Sequence, residues 1–152
     1  MKSTELPRRG AIAAGLCAVS LFALPWRALA SEDALAAAIR EAVGEATLED
    51  GGPIALRLPA VAENGGQVPL TVSVESPMTE ADHVTAIHVF ATRNPTPGVA
   101  SFHLSPALGR AEVQTRIRLA EDQRVVALAQ LSDGRVLRAA AETRVVTGGC
   151  LS

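Results

Sequence analysis

With 152 residues, 48% hydrophobic, 20% charged and only 3% aromatic, and a formal charge of −2, the chain can build one domain around a modest core. Four of its 14 cations and one of its 16 carboxylates fall in the first 30 residues, so ten arginines face 15 carboxylates in the remainder. That balance excludes the basic face that a nucleic acid or an anionic membrane requires, and Phe90 and Phe102 alone, with no Trp or Tyr beyond residue 30, provide no stacking platform.

Residues 1–30 read as an export leader. Lys2, Arg8 and Arg9 form a positive start, Gly10 to Leu24 a mostly apolar run, and Ala28-Leu29-Ala30 a small-x-small cleavage pattern. The adjacent Arg8-Arg9 suggests the twin-arginine route, which exports folded cargo; an ordinary leader with two neighbouring arginines is the alternative. The apolar run is shorter than the roughly 20 residues a spanning helix needs. Bulky Leu16 before Cys17 argues against a lipoprotein. Cleavage after Ala30 would leave a periplasmic chain of residues 31–152, not bound to a membrane.

Leu35, Ala38, Ile39, Ala42, Val43 and Ala46 recur with helical spacing and predict one amphipathic helix. Glu32 and Asp33 suit its positive start, and Asp50-Gly51-Gly52-Pro53 is expected to end it. Thereafter the period changes to two. Val68, Leu70, Val72 and Val74 alternate with Pro69, Thr71 and Ser73, and Val113, Thr115, Ile117 and Leu119 alternate with charged or polar neighbours. Further strands are expected over 54–58, 83–92, 99–105, 124–131 and 135–146. Asn64-Gly65-Gly66, Ser76-Pro77, Asn94-Pro95-Thr96-Pro97-Gly98 and Ser105-Pro106 separate them, and Ser132-Asp133-Gly134 reads as a hairpin turn.

About seven short strands at this spacing predict a mainly β protein, an immunoglobulin-like antiparallel β-sandwich with an N-terminal helix. The sandwich with its helix is expected over 31–146 and a flexible arm over 147–152. The helix would pack outside the sandwich or on a partner. The apolar segments 125–131 and 137–141 mark faces that a partner would cover.

The body offers little chemistry. His83 and His88 lie five apart in one expected strand and so face opposite sides; with His103 they form no metal-binding spacing, and no metal or cofactor is expected. Neither a Gly-x-Ser-x-Gly elbow nor a glycine-rich phosphate loop is present, and the acids Glu49-Asp50, Glu80, Asp82 and Glu121-Asp122 read as solvated turn residues. No catalytic residue is assigned.

Cys150 is different. It is the only cysteine after residue 30, in Thr147-Gly148-Gly149-Cys150-Leu151-Ser152. A free thiol ionises near pH 8.5 (roughly), and beyond Arg144 no cation is present to lower that value. Gly148 and Gly149 read as a hinge that would let the thiol reach about 10 Å from Thr147, at roughly 3.4 Å per residue. A tethered substrate carried into an enzyme pocket and an incidental ragged end fit these local residues equally well.

Several longer stretches decide between them. Glu63-Asn64-Gly65, Val68–Thr79, Ile87–Pro95, Gly109-Arg110-Ala111, Thr115–Ala120, Ser132-Asp133-Gly134 and Gly148-Gly149-Cys150 together resemble the Y-subunit carrier family of the sulfur-oxidation (Sox) system. The resemblance implies an immunoglobulin-like periplasmic carrier, paired with a Z-type subunit, with sulfur intermediates bound covalently to Cys150. It also implies transient partners: a c-type cytochrome complex that joins thiosulfate to the thiol, a manganese-dependent hydrolase that releases sulfate, and a molybdenum–haem complex acting on the remaining sulfur. The family tail reads Gly-Gly-Cys-Gly-Gly, whereas Leu151-Ser152 follow the cysteine here. Two other functions compete with the carrier: a secreted interaction module whose tail cysteine forms an intermolecular disulfide, and a small periplasmic thiol enzyme.

Overall fold

The computed structural model describes residues 26–149; most of the expected leader, and Cys150, Leu151 and Ser152, lie outside the described residues. Helix α1 (Trp26–Val43) ends at Gly44, whose φ of 68° is left-handed and whose N–H donates to the Arg40 carbonyl at 2.9 Å. The helix therefore stops before the Asp50–Pro53 turn expected to end it, because Gly44 offers an earlier cap. It also begins at Trp26, upstream of the cleavage point expected after Ala30, which places Glu32 and Asp33 inside it rather than at its start.

The apolar stripe of the helix behaves as its spacing predicts. Leu35, Ala38, Ile39, Ala42 and Val43 pack with Phe90, Val126, Leu128 and Val136 on the outer face of a sheet. The helix thus covers its own sandwich.

Among the described residues nine strands follow: β1 (Leu48–Asp50), β2 (Ile54–Arg57), β3 (Val61–Asn64), β4 (Val68–Val74), β5 (Val84–Ala91), β6 (Gly98–His103), β7 (Ala111–Ile117), β8 (Gln123–Leu131) and β9 (Val136–Thr147). The larger sheet runs β1-β9-β8-β5-β6, with β3 also on β9, and the smaller runs β2-β4-β7. In β4, Val68, Leu70, Val72 and Val74 are buried while Pro69 is exposed and Thr71 and Ser73 are half-buried, so the period-two pattern is realised. These residues pack across the interior against Ile87, Val89, Val125, Ala127, Ala129 and Leu137. The result is the expected β-sandwich.

Two strands were absent from the expectation. Short β1 and β3 add in parallel to β9, Leu48 to Asp50 opposite Val136 to Arg138 and Val61 to Asn64 opposite Arg144 to Thr147. Three- and four-residue strands carry too little alternation to be seen in sequence. Between them the chain crosses to the small sheet, turning at Gly51 and Gly52 with φ of 75° and 80°.

The segment 125–131 does not await a partner over its length. Val126 and Leu128 lie under α1, and Val125, Ala127 and Ala129 face the small sheet, so both faces are filled from within the chain. The β8–β9 turn forms as predicted. Gly134 has φ 91° and donates to the Leu131 carbonyl at 3.0 Å, while Leu131 donates to Arg135 at 2.9 Å.

Leu128 is fully buried beneath the helix. Leu128→Ala should cost about 2–5 kcal/mol, whereas Leu108→Ala at an exposed position should stay within about 0.5 kcal/mol, both read by denaturant titration. Equal effects would place the helix off the sheet.

Edge strand β1 is tied to β9 by a two-pronged Asp50–Arg138 ion pair. The Arg138 hydrogen bond, aided by its charge, holds the Asp50 carboxyl below the ordinary aspartate value; Arg135 does the same for Asp133, first through its backbone N–H. A depressed carboxyl stabilises the fold above its unfolded-state pKa, and that contribution fades as pH falls through the folded value. Asp50→Asn should therefore melt slightly below wild type near neutrality and converge with it below about pH 4, the gap shrinking in high salt. A constant gap across a melting-temperature–pH series would count against the ion pair.

Candidate functional site

The tail leaves the body at the end of β9. Thr147, expected as the first residue of the arm, instead closes β9 opposite Asn64 of β3. Beyond it, the Gly149 N–H donates to the Leu119 carbonyl at 2.9 Å, and the Leu119 N–H donates to the Gly65 carbonyl at 2.8 Å. Three segments far apart in sequence meet there through their backbones.

Glycine is required at two of these places by lack of space. A Cβ on Gly149 would lie within 2.4 Å of the Gly65 carbonyl group and closer still to the Gly66 nitrogen. A Cβ on Gly65 would meet the Leu119 oxygen at 2.4 Å, Val145 Cγ1 at 2.7 Å and the Gly149 nitrogen at 2.9 Å. Asn64 shapes the turn, its Oδ1 accepting from the Gly66 N–H at 2.8 Å.

The loop bearing Leu119 is braced from the other side. Asn94 donates through Nδ2 to the Arg118 carbonyl at 2.8 Å, and its Oδ1 accepts from the Ala120 N–H at 3.0 Å and from Gln123 Nε2 at 2.9 Å. Buried Gln123 in turn accepts from the Arg93 N–H at 2.8 Å. Asp122 reaches β9 itself, accepting from the Val145 N–H at 2.7 Å. The root of the tail is thus held by polar contacts on both flanks.

Of the predicted site residues, Gly148 and Gly149 are half-buried, and Cys150 lies outside the described residues. The sequence pattern marks Gly65 and Gly66 as a strand breaker, and Gly65, Asn94 and Leu119 fall in stretches that carry the family resemblance, but none of them stands out as a site residue. Asn64-Gly65-Gly66 was the available signal, one of two Gly-Gly pairs besides the one in the tail.

The histidines lie elsewhere. His88 on β5 is buried, with Nδ1 2.9 Å from Ser101 Oγ and Nε2 3.3 Å from Gln130 Oε1, and it meets His103 edge-on at 6.3 Å between ring centres. β8 separates β5 from β9, so this pair stands about 10 Å or more from the tail-bearing strand, at roughly 4.8 Å per strand. His83 falls just before β5, and a register shift between Val84 and Ala86 cancels the alternation used to place it opposite His88. Among the described residues, no group of three or more His, Cys, Asp or Glu side chains is arranged to hold a metal ion, and no helix is long and apolar enough to cross a membrane. Among the described residues, none of the tail lines the groove of about 560 Å³ between α1 and β6 or the one of about 620 Å³ on the small sheet.

The structure resembles that of the sulfur carrier protein SoxY from Chlorobium limicola f thiosulfatophilum at a TM-score of 0.63 and 32% identity, covering 75% of this chain and 97% of that one. It also resembles superoxide reductases from Ignicoccus hospitalis (a single-substitution variant; TM-score 0.58, 13% identity, 64% and 94% covered) and, described as putative, from Thermotoga maritima (0.56, 16%, 64% and 93%), likenesses of fold alone. No curated protein sequence matches the chain. The family model for sulfur oxidation protein SoxY matches residues 39–150, a span that takes in the end of the helix, all the strands and the tail cysteine, and the chain belongs to that family.

Proposed function

We propose that this protein is a periplasmic carrier that holds sulfur intermediates of thiosulfate oxidation covalently on Cys150 and presents them to Sox enzymes, in complex with a Z-type subunit. Membership of the SoxY family supports a carrier role in sulfur oxidation. The observation that carries the finer reading is the placing of Gly149 at the sandwich surface, one residue before the only cysteine beyond the leader. The thiol-bearing residue follows directly on this anchored backbone.

The chemistry follows from the thiol. Loading forms an S–S bond between Cys150 and thiosulfate, releases one proton and passes two electrons to the c-type cytochrome partner. Hydrolysis of the resulting S-thiosulfonate by the manganese enzyme adds water, releases sulfate and two protons, and leaves a persulfide anion on Cys150. The molybdenum–haem partner then oxidises that outer sulfur. Attack on an electrophilic sulfur requires the thiolate, and only a few per cent of an ordinary thiol is ionised at neutral pH. Activation is therefore assigned to the enzyme that receives the tail, and the carrier supplies position.

Loading should be visible as added mass on the C-terminal peptide after incubation with thiosulfate and the cytochrome complex. Cys150→Ser should abolish it and leave the melting temperature unchanged. An unmodified Cys150, or one found only in an intermolecular disulfide, would refute the carrier reading and favour an interaction module.

Export in the folded state, through Arg8-Arg9, belongs to the same reading. Lysine at both positions should trap the precursor in the cytoplasm, scored by fractionation. Undiminished export of the variant would argue for the unfolded route.

A further inference from the structure

The glycines before Cys150 invite a hinge interpretation, yet the surroundings of Gly149 contradict it. A hinge glycine needs open space and unrestrained torsions. Gly149 has a hydrogen-bonded N–H, and the place of its missing Cβ is taken by the Gly65-Gly66 backbone. The opposing surface is equally specific, since a Cβ on Gly65 would collide with the Leu119 carbonyl oxygen that accepts this bond. The contact is one of mutual exclusion of side chains between two glycines.

We propose that Gly65, Gly66 and the Leu119 carbonyl form a seat for Gly149 that holds the carrier segment in a short-reach state, and that delivery of Cys150 into an enzyme requires the seat to open. With the seat closed, one residue separates the anchored backbone from the cysteine, roughly 3.4 Å of chain. With it open, the chain is free from the end of β9 at Thr147, and three residues give about 10 Å. Asn94 is a positioning residue for the seat, because it fixes the backbone on both sides of Leu119. The opening breaks one backbone hydrogen bond and a glycine–glycine contact.

The purpose of the seat rests on the carrier reading, but its existence does not, and the test uses no sulfur enzyme. In the full chain, hydrogen exchange should show the Gly149 amide protected about tenfold or more over an unstructured peptide. Gly149→Ala should abolish that protection, because the new methyl group cannot enter the seat. The same variant should raise the labelling rate of Cys150 by a polymer-linked maleimide about tenfold relative to its rate with iodoacetamide, measured on the C-terminal peptide. Gly98→Ala, placed in open space, should change neither quantity. Gly65→Ala should act like Gly149→Ala; should it fail to fold, Gly149→Ala at the end of the chain still decides the question. An unprotected Gly149 amide in the wild type, or identical maleimide-to-iodoacetamide ratios in the wild type and Gly149→Ala, would overturn the proposal and return Gly149 to the role of a hinge. Thiosulfate loading with an absent seat would leave the carrier function standing.

Discussion

Backbone hydrogen bonding along both edges of β9 ties together the parts of this protein that matter most. On one edge β8 pairs with residues 136–143, and on the other β1 takes 136–138 and β3 takes 144–147. The same strand therefore anchors the hairpin, receives the chain after the helix and delivers the tail to the surface. A peptide ladder is a rigid support because each bond is geometrically defined and its neighbours reinforce it. The tail inherits that rigidity up to its last described residue.

The division between body and tail follows from where apolar area is available. The helix and both sheets use nearly all the large aliphatic side chains, and among the described residues only Val61, Leu108 and Val146 remain as exposed large hydrophobics. Val61 and Val146 belong to β3 and β9, the two strands that carry the root of the tail. The body therefore spends its hydrocarbon on stability, and its polar side chains on bracing loops. Asn94, Gln123 and Asp122 illustrate the second use, each satisfying backbone groups that strand pairing leaves over.

Glycine appears in this chain in two physically distinct roles. Gly44, Gly51, Gly52, Gly109 and Gly134 supply left-handed backbone angles that end or turn an element. Gly65 and Gly149 instead let two backbones approach more closely than any side chain permits. Only the second role bears on how far the tail reaches. In composition the two are indistinguishable.

The strands with sustained alternation, the helical stripe from Leu35 to Ala46 and the Ser132-Asp133-Gly134 turn were legible in sequence, because each is set by residues within a few positions of one another. The resemblance to the sulfur-oxidation carrier family was legible as well, because it rests on short stretches of sequence. What the linear order could not disclose was which face each pattern would meet. The helix was free to cover its own sheet or a partner, and the choice required Phe90, Val126, Leu128 and Val136 to be gathered on one surface. Parallel β1 and β3 needed an unpaired edge of β9 to exist first. Gly149 was assigned flexibility because a glycine beside a chain end has no local constraint, and its constraint comes from residues 65, 66 and 119. Local sequence thus determined the elements and the family, while only the tertiary structure decided where Gly149 is anchored, since steric exclusion between distant backbones arises once the chain has folded.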